Sequence, residues 1–237
     1  MDIEKIKEFY DAYVDKQESQ GLHALIYSLY NRMIRLGLNR NSKVYEIGCG
    51  IGVLTYLLAK KITHGSLEAI DISPKSIALA RMKTGGTRVS IHEADAVTFV
   101  PQNLDVDFIT LFDVMEHIPQ ERHDQLFRQL ALSMGETTQL LINIPNPDFI
   151  AYDQIHHPEQ LQIVDQSLQL TDLLNSFEKS NWEVVLFERY GVWHQNEYIF
   201  LQVRKKRPFQ PQKNQVKPGI IDRVRLKTWR WRYRKNL

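Results

Sequence analysis

The chain of 237 residues holds a single cysteine, Cys49. No internal disulfide can form, and a reducing compartment is implied. That cysteine lies among glycines, where a small residue fits, and its surroundings do not suggest a reactive thiol. No apolar run reaches the roughly 18 residues that a membrane span requires. The opening stretch, Met1-Asp-Ile-Glu-Lys5, lacks the basic and apolar regions of a signal peptide, so a cytoplasmic protein is expected. No internal repeat is visible. What is present is ordinary for a soluble globular protein: 43% hydrophobic and 24% charged residues. The length allows one α/β domain with appendages or two small domains, with a substantial core.

A formal net charge of +2 conceals a polarity. Residues 204–237 carry thirteen Lys/Arg and one acid, Asp222, whereas the preceding residues hold seventeen bases and twenty-seven acids. An acidic body is therefore joined to a strongly basic tail.

Apolar spacing predicts helices over residues 3–38, with Ile6, Phe9, Tyr10, Tyr13 and Val14 on one stripe and Leu22, Leu25, Ile26, Leu29, Tyr30, Met33 and Ile34 on another. Strands are expected at 43–47, 67–70, 88–92, 107–112, 139–144, 182–189 and 197–204. Helices are expected between them at about 51–61, 74–83, 121–134 and 171–179. Ser73 before Pro74 reads as an N-cap with proline at the first helical position, and Thr171 as a further cap. The stretch with Pro145, Pro147 and Pro158 reads as irregular. Alternating strands and helices imply a mostly parallel sheet covered on both faces. The short loop containing Gly191 permits an antiparallel hairpin for the last pair.

Residues 44–52, V-Y-E-I-G-C-G-I-G, carry the clearest signal. A strand ends in an acid and three alternating glycines, and an amphipathic helix follows. Glycines allow a sharp strand-to-helix turn and let a nucleotide-like ligand approach the backbone. Asp71 ends the second strand nineteen residues after Gly52. An acid there accepts ribose hydroxyls in nucleotide-binding α/β folds, although it can also cap the following turn. The fourth strand delivers Phe112-Asp113-Val-Met-Glu-His117 at its carboxyl end, where open α/β sheets bind ligands.

E-x-G-x-G-x-G resembles motif I of the class I S-adenosylmethionine-dependent methyltransferases. E-A-I-D-I-S, at residues 68–73, looks like their second signature and E-A-D-A, at 93–96, like the next. D-V-M-E-H-I-P, at 113–119, is similar to a segment of enzymes methylating small-molecule hydroxyls, including ubiquinone-pathway O-methyltransferases. These occur in order, and the resemblance covers most of residues 40–204. It implies a Rossmann-like α/β fold, with a seven-stranded, mostly parallel sheet whose last strand is antiparallel, under an N-terminal helical lid. It implies a lid over residues 1–40, a cofactor-binding domain over 41–204 and a basic linker and tail over 205–237. The cofactor would be S-adenosylmethionine, held by Glu46, Gly48, Gly50, Asp71, Ile72, Asp95, Ala96, Phe112 and Asp113. Ile72 would lie against the adenine, and Asp95 would receive its amino group or stand as a solvated loop acid. The usual L-x-P-G-G turn before strand five is replaced by Leu132-Ser-Met-Gly-Glu136.

Transfer of a methyl group to a hydroxyl requires alignment and a proton acceptor. His117 is the leading general base, since an imidazole titrates near neutrality; otherwise Glu116-His117 caps the next helix. His156 and His157, beside Pro158, are the alternatives. Asp113, Glu116, His117, Asp153 and the 156–157 histidine pair could converge, but no ligand spacing demands a metal, and none is expected. Asn143-Ile-Pro-Asn-Pro147 differs in sequence and position from the N-P-P-Y motif of enzymes that methylate bases, which argues against a nucleobase target.

Residues 208–217 read as a linker. Beyond them, Ile220, Ile221, Val224 and Trp231 share one helical face, with Leu226, Trp229 and Tyr233 nearly opposite, so the segment is not cleanly amphipathic. An anionic membrane surface or a protein partner fits this tail better than nucleic acid. The first reading is thus an O-methyltransferase acting on a small molecule. Resemblance of the N-terminal region, and of runs after residue 120, to enzymes of bacterial polysaccharide pathways suggests a sugar hydroxyl of a polysaccharide or glycolipid precursor. An RNA methyltransferase using the tail and a non-catalytic cofactor-binding module are the alternatives.

Overall fold

The computed structural model describes residues 3–208 and 219–235. Packing divides the chain into residues 1–206 and residues 207–237. The first unit runs α1 (Ile3–Gln20), α2 (Ala24–Arg35), β1 (Lys43–Ile47), α3 (Val53–Lys61), β2 (Ser66–Asp71), α4 (Pro74–Thr84), β3 (Val89–Glu93), β4 (Val106–Phe112), α5 (His123–Ser133), β5 (Met134–Pro145), α6 (Pro147–His156), α7 (Leu170–Lys179), β6 (Trp182–Tyr190) and β7 (Tyr198–Lys205).

The seven strands lie in the order β3-β2-β1-β4-β5-β7-β6. β1 to β5 pair in parallel, and β7 runs antiparallel to both β5 and β6. Alternation along the strands sorts the core into two layers. Tyr45, Ile47, Ile109, Leu111, Leu140 and Ile142 point to the layer closed by Phe127 of α5 and Phe177 of α7. Val44, Leu67, Phe108, Leu141 and Phe200 point to the opposite layer, closed by Leu29 and Met33 of α2 and Leu54 and Leu58 of α3. Reversal of strand order between β1 and β4 opens a crevice at the carboxyl ends of these strands, where helices on opposite faces diverge.

The N-cap of α4 is formed as expected: the Ser73 hydroxyl accepts from Ser76 N with Pro74 next in line. Several boundaries differ from the sequence expectation. Gly21, at φ 51°, divides the N-terminal helical region in two. Residues 147–156 are helical rather than irregular, because Asn146 accepts from Asp148 N and Pro147 occupies the first helical position. Thr171 is not a cap; Gln169 occupies that position of α7 without a side-chain bond. β5 starts at Met134 directly after α5, with its register to β4 shifting between Val106 and Phe108, so no separate turn precedes it.

The second unit contains helix α8 (Ile220–Lys235). Its described side chains, Arg223 to Arg232, are exposed. Most of the linker expected over 208–217 lies outside the described residues. No described helix is long and apolar enough to cross a membrane.

Candidate functional site

β1 ends in a turn whose three glycines all take positive φ: 72° at Gly48, 51° at Gly50 and 81° at Gly52. At Gly48 a side chain would strike Val114, and at Gly52 it would press into the backbone of Ala80 at 2.8 Å. Glycine is thus required both by the left-handed backbone and by close packing of turn, strand end and α4. Asp71, at the end of neighbouring β2, ties this turn. Its carboxylate accepts from Gly50 N at 2.8 Å and from Ser73 N at 2.9 Å. Burial raises its pKa, while those amides work the other way.

The turn forms the floor of a cleft of about 420 Å³, within the range of small-molecule sites. All nine residues expected at the cofactor, from Glu46 to Asp113, line it, and so does His117. At one end Ile72, Ala94 and Ala96 make an apolar slot beside Asp95. Asp95 accepts from Val97 N at 3.0 Å and pairs with Arg122 at 2.6 Å, so it is an anchored acid rather than a solvated one. Glu46 is buried with one carboxylate oxygen unpartnered, and burial pushes its pKa up to about 8. Cys49 is buried, and burial raises its thiol well above the ordinary range, consistent with a packing role.

Asp113 follows β4 in a left-handed conformation, φ 54°. It accepts from Asn143 Nδ2 at 2.7 Å, and Asn143 in turn accepts from the Tyr190 hydroxyl at 2.7 Å. Burial lifts Asp113 to about 6, with the Asn143 bond opposing. One turn of 3-10 helix, Met115–His117, then carries the candidate base into the cleft. A strap from residues 162–167 holds that turn. Gln166 donates from Nε2 to the carbonyls of Glu116 (3.1 Å) and Ile118 (2.7 Å). His117 Nδ1 lies 2.6 Å from Val164 O and 3.0 Å from Asp165 Oδ1. With Nδ1 donating to these oxygens, Nε2 is the nitrogen left to exchange a proton. Burial disfavours a charged His117 ring, but Glu116 and Asp165 outweigh it and raise His117 to about 9. Burial also raises Glu116, whose carboxylate oxygens accept no hydrogen bond, Oε1 lying 3.8 Å from His117 Nε2.

α1 closes one side of the cleft with Tyr10, Tyr13 and Gln17. The Tyr10 ring lies 6.0 Å from that of His117, and its buried hydroxyl has no partner. The helix is pinned where Asp11 accepts from Ser73 Oγ (2.6 Å) and Lys75 N (3.1 Å). The far wall comes from His23, Ile26, Trp193 and Tyr198. His23, Trp193 and Tyr198, which line the cleft, and Asp165 and Gln166, which brace the turn carrying His117, gave no usable sequence signal, since each takes its place only through long-range packing.

His156 stands apart from the residues gathered there. It is an exposed residue of α6 whose ring stacks at 4.3 Å on Tyr152, and it does not line the cleft. Asp153 and His157 do not join His117 in the cleft either: Asp153 is buried on α6 and His157 lies at that helix's C-terminal cap. Among the described residues, no group of three or more His, Cys, Asp or Glu is placed to hold a metal ion.

A protein-family profile described as "Methyltransferase domain" matches residues 44–134, the span of the glycine turn, Asp71, Asp95 and His117. The chain is 39% identical over 82 residues to malonyl-[acyl-carrier protein] O-methyltransferase of Priestia megaterium, covering 35% of this chain and 28% of that one. It is 34% identical over 80 residues to ubiquinone biosynthesis O-methyltransferase of Aromatoleum aromaticum, covering 32% and 33%. The chain thus spans about a quarter to a third of these relatives' length. In structure it resembles magnesium protoporphyrin IX methyltransferase of Synechocystis PCC 6803, crystallised with S-adenosylhomocysteine. The TM-score is 0.67 at 15% identity, over 87% of this chain and all of that one, a likeness of fold. Residues 44–134 thus match a methyltransferase domain, and they lie in a seven-stranded sheet whose fold resembles that of a solved methyltransferase crystallised with S-adenosylhomocysteine.

Proposed function

We propose that the protein is an S-adenosylmethionine-dependent methyltransferase that methylates a hydroxyl of a small molecule, a sugar of a polysaccharide or glycolipid precursor. The carrying observation is the cleft itself: the glycine turn and Asp71 at one end, and an anchored histidine at the other. The residues fit the cofactor. Backbone without side chains faces the cleft at Gly48 and Gly50, and unpartnered polar atoms of Glu46, Gln17 and Thr110 line it. Asp71 would hold the ribose, Ile72 and Ala96 the adenine faces, Asp95 the adenine edge, and Glu46, Phe112 and Asp113 the methionine end. Bound there, the cofactor supplies an electrophilic methyl group. His117 accepts the acceptor's proton at Nε2, while Val164 O and Asp165 keep Nδ1 as the donor. A base near 9 is mostly protonated at neutral pH, so transfer should quicken as pH rises toward that value.

The basic tail fits an anionic membrane surface or protein partner. α8 spreads seven Lys/Arg along 16 residues and exposes Trp229 and Trp231. Calorimetry with S-adenosylmethionine, followed by mass spectrometry over nucleotide-sugar and glycolipid acceptors, tests the activity. Absence of saturable cofactor binding overturns it. For the tail, removal of residues 207–237 should abolish binding to phosphatidylglycerol vesicles. Salt-sensitive RNA binding lost with the tail, and no vesicle binding, would favour the RNA reading instead.

A further inference from the structure

The cleft wall formed by His23, Trp193 and Tyr198 is aromatic, and none of the described residues that make it is a lysine or arginine. Trp193, 56% exposed, stands at the cleft with its ring 5.7 Å from His23 and 6.5 Å from Tyr198. It belongs to the β6–β7 loop, which the carboxylate of Glu197 shapes from within. Glu197, 2% exposed, accepts from three successive amides: Val192 N and Trp193 N at 3.0 Å and His194 N at 2.7 Å. A buried carboxylate bonded this way holds a loop in one geometry. Trp193 is therefore presented to the cleft on a fixed support rather than left on a loose loop tip.

The charges in the cleft point the same way. Glu46, Asp71, Asp95 and Asp113 line it, Arg122 is tied to Asp95, and His117 is neutralised between two carboxylates, with Nδ1 3.0 Å from Asp165 and Nε2 3.8 Å from Glu116. His23 is held toward its neutral form by burial. Among the described residues, no lining lysine or arginine remains to meet a carboxylate or phosphate. Among the described lining residues, the polar atoms without hydrogen-bond partners are, apart from Glu46 Oε2, uncharged: His23 Nδ1, the Tyr10 hydroxyl, Gln17 Oε1 and Thr110 Oγ1. Aromatic faces with uncharged hydrogen-bonding groups around them suit a saturated ring that presents C–H groups on its face and hydroxyls at its rim. An anionic acceptor would instead lose its hydration against like charge.

We propose that the acceptor is an uncharged glycosyl ring seated against Trp193, and that the cleft rejects acceptors recognised through a carboxylate. This rests on the methyltransferase reading above and specifies its substrate class. The test uses full-length protein with ¹⁵N-labelled tryptophan, saturated with S-adenosylhomocysteine, and the Trp193 indole signal assigned through Trp193→Phe. The probes are methyl glucoside, galactoside, mannoside and rhamnoside, with malonate and trans-aconitate as carboxylate controls. At least one glycoside should move the Trp193 signal saturably and the carboxylates should not. Trp193→Ala should weaken that glycoside at least tenfold while cofactor affinity stays within twofold. Saturable binding of either carboxylate at Trp193, or silence with every glycoside, overturns the inference. Failure of S-adenosylhomocysteine to bind would instead remove the methyltransferase reading on which it stands.

Discussion

The two ends of the cleft are built in different ways. The glycine-turn end comes from the tips of adjacent parallel strands and is set largely by main chain: positive φ at Gly48, Gly50 and Gly52, and amides bonded to Asp71. The opposite end is assembled from α1, the 162–167 strap and the β6–β7 loop, held by single side chains such as Asp11, Gln166 and Glu197. The first end has little freedom to vary without losing the turn. At the second, a few anchored side chains decide what sits beside the reactive atoms, so one sheet can serve different acceptors by exchanging them.

That contrast can be broken by experiment. The largest effect is expected at the transfer step: His117→Ala should lower turnover by roughly 10²–10⁴-fold with cofactor affinity unchanged. In the wild type the rate should climb with pH until about 9, because the folded His117 gives up its proton only there. An unaltered turnover in the variant would remove His117 as the base. Asp71→Ala should weaken S-adenosylmethionine by about 30- to 150-fold, or roughly 2–3 kcal/mol, through loss of charge-assisted bonds. A calorimetric change of threefold or less would mean that Asp71 only braces the turn.

A smaller effect concerns stability. Glu46 has a folded pKa raised to about 8, so the folded state keeps a proton that the unfolded chain releases near 4.5. Its contribution is full below the unfolded value and is lost as pH rises through the folded one. Melting temperature should therefore fall between pH 4.5 and 8, and Glu46→Gln should flatten that decline. An identical pH profile in the variant would show that Glu46 is not the group responsible. The smallest effect separates two caps. Asn146→Ala should cost about 1–2 kcal/mol, whereas Thr171→Ala should stay within about 0.5 kcal/mol. Equal losses in chemical denaturation would restore Thr171 as a cap.

The glycine-turn end of the cleft was legible because its information is local. A strand, a glycine turn and an acid at the next strand's tip follow one another within residues 44–71, and each constrains backbone that the same few residues form. His117 was legible for the same reason, lying just past a strand end. Yet its inferred readiness as a base at neutral pH was not, since Glu116 and Asp165 change its proton affinity only after folding. His156 was expected at the site because a proline-rich stretch reads as a loop; the Asn146-Pro147 start makes it a helix and turns that histidine outward. Ser73-Pro74 has the same form and was read correctly because a clear strand precedes it.

The sequence by itself determined the sheet-and-helix alternation, the antiparallel ending and the cofactor turn, because periodicity and glycine stereochemistry act over a few neighbouring residues. Only the tertiary structure decided which side chains line the far wall of the cleft. Trp193, His23, Tyr10 and Gln162 come from four separate segments, and their meeting depends on the burial of the whole sheet between its two helical layers.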